Sequence, residues 1–420
     1  MSSTLLADMG WLEKLAPSYP RLAEIFSRSP GEQRNAGYFN TLREIFQQPA
    51  TWIRTAEQMS GASAQLQEWA RGVQTLVLTG SGSSEFAGEC VLPSVTRELG
   101  VVGQVIGGGT LLTYGSAALP AGRPALVVSL ARSGDSPESA GTISRLLAER
   151  GDVRHLVLTC NREGRMANAY REDKDVRVIT LDDATNDRSL VMTSSFTNLA
   201  LAARALGAMT PEKYRSMSAQ LSSIAGEMLR RHVGPISSVS EAGFRRAVFL
   251  GSGSRVGAAR ESALKMLEMT AGAVATMAES YLGFRHGPMS FAHQDTIIVC
   301  FLSSDPVLRA YECDLVQELS DKELGLLKVI VGDDVPAGLA RANDVVIDCP
   351  GLAQIADDDS AIIHVIGGQL LAFFRCLEQG LRPDSPSEAG VINRVVQDFK
   401  LYVRENGKVM ESVTHGRNLD

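Results

Sequence analysis

The chain has little that would mark a metal protein, a secreted scaffold or a nucleic-acid binder. Its six cysteines (Cys90, Cys160, Cys300, Cys313, Cys349, Cys376) are scattered over 420 residues with no CxxC pair. They read as buried, reduced thiols of a cytosolic protein, not as a disulfide framework. No histidine spacing resembles a zinc site and no acidic cluster resembles a hard-cation site, so no metal or other cofactor is expected. Charge of one sign is also scarce. Lys and Arg number 41 against 48 Asp and Glu, and the net charge of −7 argues against nucleic acid or an anionic membrane as a main partner. The start of the chain lacks a basic-then-apolar signal, since Asp8 interrupts its short apolar run. The most apolar long stretch, Ala361–Leu377, contains His364, Gln369 and Arg375, which predicts a buried helix and not a membrane span. What remains is an ordinary soluble composition, 44% hydrophobic and 21% charged, with length for two or three domains.

A repeat organises that length. Residues 1–48 have helical apolar spacing, with a further helix to about Arg71 after Pro49. Strands are expected at Thr75–Thr79, Val101–Ile106, Ala125–Leu130, His155–Thr159 and Val176–Leu181, then a helix over Leu190–Gly207. The order returns with a strand at Ala247–Leu250, a long helix from Ala258, strands at Ile297–Leu302, Leu327–Val331 and Val345–Ile347, and the helix Ile362–Leu377. The first strands end in Gly80-Ser81-Gly82-Ser83-Ser84 and Gly251-Ser252-Gly253-Ser254, and Gly82 to Ser133 and Gly253 to Ser304 both span 51 residues. Two copies of a βαβ-rich unit imply an α/β chain with two parallel sheets, each carrying helices on both faces.

The copies differ in chemistry. In Leu126–Ser139 a buried apolar strand breaks into Arg132-Ser133-Gly134-Asp135-Ser136-Pro137. Pro137 suits a first helical turn, Ser136 or Asp135 can cap it, and hydroxyls with a helix N-terminus and Arg132 suit a phosphate. An ordinary βα turn also favours Ser, Gly and Pro. The second copy has Ser303-Ser304-Asp305-Pro306 without the glycine, so one phosphate site per chain is expected, at the strand ends of the first. The second copy instead offers Glu261, Lys265 and Glu268 on one helix face, and His286 in the turn Gly283–Pro288. Glu261 and Lys265 also fit a solvated pair, and His286 a loop hydrogen-bonder. His155, His232, His293, His364 and His415 read as structural.

Together LREIFQQPATW, GSGSS, ARSGDSPES, ESALKMLEM with FRHGP, and DSPSEAGVINRVVQ resemble the sugar isomerase (SIS) superfamily, in the order found there. The loop, GFRHGP and NRVVQ are most similar to AgaS-type galactosamine-6-phosphate deaminase/isomerases, formerly called tagatose-6-phosphate ketose/aldose isomerases. The isomerase half of glucosamine-6-phosphate synthase is related. The resemblance implies tandem SIS domains at 51–210 (phosphate site) and 211–382 (catalytic Glu and His), an N-terminal helical arm at 1–50 and a C-terminal tail at 383–420. It implies an amino-sugar phosphate deaminase/isomerase taking galactosamine 6-phosphate to tagatose 6-phosphate and ammonia. Other readings are a plain aldose/ketose phosphate isomerase, another SIS deglycase or deaminase, and a non-catalytic sugar-phosphate sensor.

Carried over, Ser83, Ser84, Ser133 and Ser136 match phosphate and sugar ligands, with Arg132 beside them. Glu268 matches the proton-shuttling base, with Lys265 next to it, and His286 the ring-opening histidine. That histidine usually reaches the site from a neighbouring subunit, which implies a cytoplasmic homodimer or higher oligomer. Two departures stand out. The chain opens Met1-Ser2-Ser3 without a glutaminase domain or an N-terminal cysteine nucleophile, so glutamine is not expected as its ammonia source. Where the synthase has an imine-forming lysine near its end, this sequence reads Ile392-Asn393-Arg394, and Arg394 is expected to assist by charge.

Overall fold

A computed structural model describes residues 5–6, 9–387, 389–396, 400–405 and 408–412. Helices come first: α1 (Gly10–Leu15), α2 (Pro20–Ser27), α3 (Pro30–Ala36), α4 (Phe39–Phe46), α5 (Gln48–Gly61) and α6 (Ser63–Ala70). The first sheet follows as β1 (Thr75–Gly80), α7 (Ser83–Glu89), α8 (Leu92–Leu99), β2 (Val102–Gly107), α9 (Gly108–Tyr114), β3 (Ala125–Ala131), α10 (Pro137–Glu149), β4 (Val153–Thr159), α11 (Arg165–Ala169), β5 (Val176–Thr180) and α12 (Ser194–Arg204). The long α13 (Pro211–Ser240) leads to β6 (Arg246–Gly251), α14 (Arg255–Met269), β7 (Ala275–Ser280), α15 (Tyr281–Phe284), β8 (Thr296–Phe301), α16 (Pro306–Asp321), β9 (Leu327–Gly332), β10 (Val345–Asp348) and α17 (Ala361–Glu378). A hairpin of β11 (Leu401–Glu405) and β12 (Lys408–Ser412) ends the described chain.

Both sheets have five parallel strands in one order. The first runs β2-β1-β3-β4-β5 and the second β7-β6-β8-β9-β10. The expected duplication is therefore the architecture. Every residue of β1 and β3 is buried, which is why both read as unbroken apolar runs. The edge strands β2 and β7 are half-exposed throughout, and the mixed sequence ATMAES of β7 gave no strand signal. The helix expected over Leu190–Gly207 starts only at Ser194, leaving 190–193 as an irregular segment that reaches the site.

One apolar core runs from the N-terminal arm through α12, α13, α14 and α17. Helix α17 is long and apolar enough to cross a membrane, but it lies buried inside the protein. A hydrogen-bonded chain through this core joins the arm to both halves. Gln48 donates to Gln369 at 2.8 Å and accepts from Thr197 at 2.8 Å, and Trp52 Nε1 donates to Thr197 at 2.9 Å. Losing one member strands its buried partners, so such networks fix a unique arrangement. All six cysteines are free; Cys313 is only half-buried, unlike the other five. His155 and His364 are buried, as expected of structural histidines, and His415 lies outside the described residues.

In open sheets of this order, ligands sit at the carboxyl ends of the strands where the winding reverses. Here those are β1 with β3, and β6 with β8. The C-terminal segment braces the first of these points. The Asp384 carboxylate accepts the Asn40 and Thr41 backbone N–H groups at 3.1 and 2.8 Å, and its carbonyl accepts Leu190 N–H at 3.0 Å.

Candidate active site

The site grows from the end of β1. At Gly80 an added Cβ would lie 2.5 Å from Ser84 Cβ, so only glycine lets the chain turn so closely over its own helix. Gly82 takes φ 58°, and α7 starts at Ser83 with both serines buried. Helix α14 from the second half packs across α7. A Cβ on Gly257 would lie 2.8 Å from the Phe86 carbonyl oxygen and 2.9 Å from Cys90 N.

That close approach carries Lys265, fully buried, to Ser83, where Nζ donates to Oγ at 3.1 Å. Lys265 also donates a short hydrogen bond to Glu268, and Glu261 Oε1 stands 3.5 Å from Nζ. Glu261 and Lys265 are thus not a solvated pair: both are fully buried, and neither Glu261 oxygen has a hydrogen-bond partner among the described residues. Burial pushes the Glu261 carboxyl up to about 8 against the opposing charge of Lys265. Burial would lower Lys265, yet the Glu261 and Glu268 carboxyls outweigh it and raise its pKa, so the lysine stays an ammonium. The lysine's hydrogen-bonded carboxylate partner is Glu268, whose side chain is 22% exposed. Of the apolar residues flanking Glu268 in α14, Met266 and Met269 are buried, whereas Leu267 is exposed.

The second wall is the loop after β3. Gly134 has φ 66°, and Ser133 Oγ accepts the Asp135 N–H at 3.2 Å. The capping expectation is corrected in detail. Ser136 holds the N-cap position of α10 but its hydroxyl makes no capping bond, and Asp135 instead accepts the Arg165 N–H at 2.9 Å. Pro137 brings no N–H to this first turn and the Ser139 N–H donates to Ser136 O at 3.1 Å, so the Ser136 hydroxyl and the Glu138 N–H are the donors here that could meet a ligand. Ser84 Oγ points at Met192 Sδ, 3.9 Å away.

Arg132 is buried beside this loop and bound to carbonyls. It donates to Leu190 O at 2.8 Å and Arg394 O at 2.7 Å. Burial, then the charge of Arg394, lowers its pKa, but a guanidinium stays cationic. Arg394 is oriented otherwise than expected. Its guanidinium donates to Asp187 O at 2.6 Å and Asn186 Oδ1 at 2.6 Å, which fastens the C-terminal segment over the site.

Two buried carboxyls hold that frame, and neither was signalled in the sequence. Asp187 accepts the Thr193 and Ser195 N–H groups at 2.7 and 2.8 Å, ahead of α12. Glu44 of the arm accepts the Arg188 and Ser189 N–H groups at 2.6 and 3.2 Å. Burial and the Asp187 charge raise Glu44 to about 8. His286 shares no hydrogen bond or ion pair with the cluster among the described residues of its own chain. It is exposed, and its ring makes no hydrogen bond or ion pair among the described residues. A surface depression of about 310 Å³ along β5, lined by Trp69, Arg171 and Arg177, shares no residue with this chemistry.

The chain is 37% identical over 373 residues to a Streptomyces coelicolor protein provisionally named D-galactosamine-6-phosphate deaminase AgaS, covering 86% of this chain and 95% of that one. It is 33% identical over 376 residues to the D-galactosamine-6-phosphate deaminase AgaS of Shewanella sp., covering 87% and 92%. The chain belongs to the AgaS family. No protein-family model matches it. Among solved structures, tagatose-6-phosphate ketose/aldose isomerase from Escherichia coli matches with a TM-score of 0.77 at 30% identity, over 84% of this chain and 95% of that one. The C-terminal domain of glucosamine-fructose-6-phosphate aminotransferase from Francisella tularensis has the same fold, with a TM-score of 0.70 at 18% identity, over 82% and 98%. Tandem SIS architecture in an AgaS-family enzyme accounts for the paired sheets, and the candidate site residues fall at the β1/β3 switch point.

Proposed function

We propose that this AgaS-family chain deaminates galactosamine 6-phosphate to tagatose 6-phosphate, working as a cytoplasmic homodimer. The observation that carries the reading is the buried Lys265–Glu268 pair pressed onto Ser83, opposite an open phosphate-type loop at the same strand ends. Ser133, Ser136 and the α10 N-terminus hold the phosphate, with Ser83 and Ser84 on the sugar. Anchoring a non-reacting phosphate spends binding energy on orienting the carbon that does react.

The open-chain amino-aldose then loses its C2 proton to Glu268, giving an enaminol. Return of a proton at C1 yields the 2-imine, which water hydrolyses to ketose and ammonia. Lys265, kept cationic, stabilises the oxygen at C1 while charge develops there. Arg132 supplies the fixed positive field, and Arg394 orders the segment above it. In this reading 51–210 binds and 211–382 reacts, while Glu44 of the arm braces the loop that holds Arg132, and Asp384 and Arg394 of the C-terminal segment close over it. His286 opens the sugar ring in a neighbouring subunit's site. Leu282, Val307 and Tyr311, respectively 48, 65 and 53% exposed on α15 and α16, support a subunit contact beside it.

The test is ammonia release over a panel of hexosamine 6-phosphates, with tagatose 6-phosphate and fructose 6-phosphate assayed for isomerisation. Ammonia from galactosamine 6-phosphate is the expected result. Isomerisation without ammonia from any hexosamine phosphate would replace the deaminase with a plain isomerase.

A further inference from the structure

The second half repeats the strand-end cradle of the first, but something already sits in it. β8 runs into Ser303-Ser304-Asp305-Pro306 and α16, as β3 runs into Ser133-Gly134-Asp135-Ser136-Pro137 and α10. Asp357, from the turn ahead of α17, puts its carboxylate on this loop. Oδ1 accepts Ser304 N–H at 2.7 Å, and Oδ2 accepts the Ser303 hydroxyl at 2.8 Å and Arg255 Nη2 at 2.8 Å. Arg255 and Ser303 are buried. Glu312 closes the floor by accepting Ser303 N–H at 2.6 Å, its other oxygen 3.9 Å from Arg255 Nη2, and burial raises its pKa against the Arg255 charge.

The donors here exceed what one carboxylate uses. Ser304 Oγ and the buried Arg255 Nε have no partner among the described residues. Hydroxyls, a backbone N–H and a buried guanidinium are the donor set of a tetrahedral oxyanion site. Among the described residues the first half has no side-chain carboxylate on the equivalent hydroxyl, and Ser133 Oγ accepts its own loop's Asp135 N–H.

We propose that the second repeat is a phosphate-type oxyanion site filled by the chain's own Asp357. Each chain then takes sugar phosphate only at the first repeat, a corollary that rests on the function proposed above. The neighbouring acids strengthen the seat, because Asp358 pairs with Arg97 at 2.9 Å and Asp359 with Arg204, both from the first half. The turn carrying Asp357 is thus held from the other side of the molecule.

Asp357→Ala should vacate the cradle. The variant is expected to melt below wild type in chloride. Inorganic phosphate should raise its melting temperature well beyond the rise in wild type, chloride of equal ionic strength having no such effect. Titration calorimetry should find one more phosphate bound per chain than in wild type. The gain is expected in a Ser133→Ala, Ser136→Ala background as well, so it is scored whether or not the first repeat binds phosphate. A folded Asp357→Ala chain with wild-type stoichiometry and wild-type response to phosphate overturns the proposal. If the variant does not fold in chloride, refolding in phosphate replaces the melt. Recovery in phosphate alone supports a vacated oxyanion site, and equal failure in both salts overturns it.

Discussion

Lys265 Nζ has three oxygen neighbours: Ser83 from the first half, and Glu261 and Glu268 from its own helix. A fully buried ammonium is stable only when paired, and here the pairing also aims Glu268 outward from the core. Glu268→Gln keeps the shape and removes the proposed base. Its kcat should fall by about 10²–10⁴, the usual worth of a general base, while substrate still binds. Steady-state kinetics with a direct binding titration checks both halves of that statement, and a kcat within a few-fold of wild type would remove Glu268 from proton transfer. Ser133→Ala should act on binding instead. A hydrogen bond to a charged group is worth roughly 1.5–3 kcal/mol, so KM should rise about 10- to 100-fold. Ser304→Ala, at the matching loop filled by Asp357, should leave KM unchanged. Equal losses at the two serines would contradict a single substrate site.

Helix α14 turns those residues into a site because it can lie so near α7. Gly257→Ala would drive a Cβ to 2.8 Å from the Phe86 carbonyl oxygen, and backbone cannot yield as a flexible side chain can. Forcing the helices apart should cost about 1–3 kcal/mol and lift Lys265 off Ser83, lowering both Tm and kcat. Gly109→Ala, in α9 with nothing within 4 Å of the new Cβ, is the control, expected neutral or slightly stabilising. A Gly257→Ala protein indistinguishable from Gly109→Ala would show that this packing does not position the lysine. The sequence legible here was that of buried central strands: β1, β3, β6 and β8 are apolar runs broken by Gly and Ser, and the site follows directly from their ends. Edge strand β7 was not legible, because a half-exposed strand loses the apolar run. Glu261, Lys265 and Glu268 were legible as one face by spacing, but their burial was not, since nothing local announces that another helix covers them. Asp357 and Glu44 escaped for a related reason: their partners, Arg255 for the first and the Arg188 and Ser189 N–H groups for the second, are distant in the chain. Arg394 was legible as a cation near the site, though not that carbonyls would take its N–H groups.

Across the whole molecule, buried titratable groups set a pH window for stability. Glu44 and Glu261 are raised to about 8 by burial, so the folded chain keeps protons that the unfolded chain releases above its ordinary carboxyl range. Their contribution is therefore lost as pH climbs through about 8. His155 and His364 are lowered by burial to about 4 and about 3, so the unfolded chain takes up protons below its ordinary histidine value first. That contribution is lost as pH falls below about 6.5. Denaturant midpoints should be highest at mildly acidic pH, where the carboxyl and histidine contributions offset each other, and should fall as pH climbs from about 6.5 to about 8 and again below about 4.5; a midpoint flat from about pH 5 to 9 would contradict this assignment. The proposed dimer carries the last prediction. His286 is exposed, without a ring partner among the described residues, on a turn anchored by Arg285 to Glu318 at 2.6 Å and Asp314 at 2.7 Å, beside exposed Leu282 and Tyr311. A rigid turn presenting an unengaged imidazole next to apolar surface suits delivery into a second copy's site. Glu268→Gln and His286→Ala chains, each inactive alone, would then complement. In the mixed dimer one site has both defects and the other has neither. Random exchange of equal amounts should restore roughly a quarter of wild-type sites under two-fold symmetry. Activity that stays at the level of the separate mutants, with exchange verified by mass-labelled chains, would return His286 to its own subunit's site.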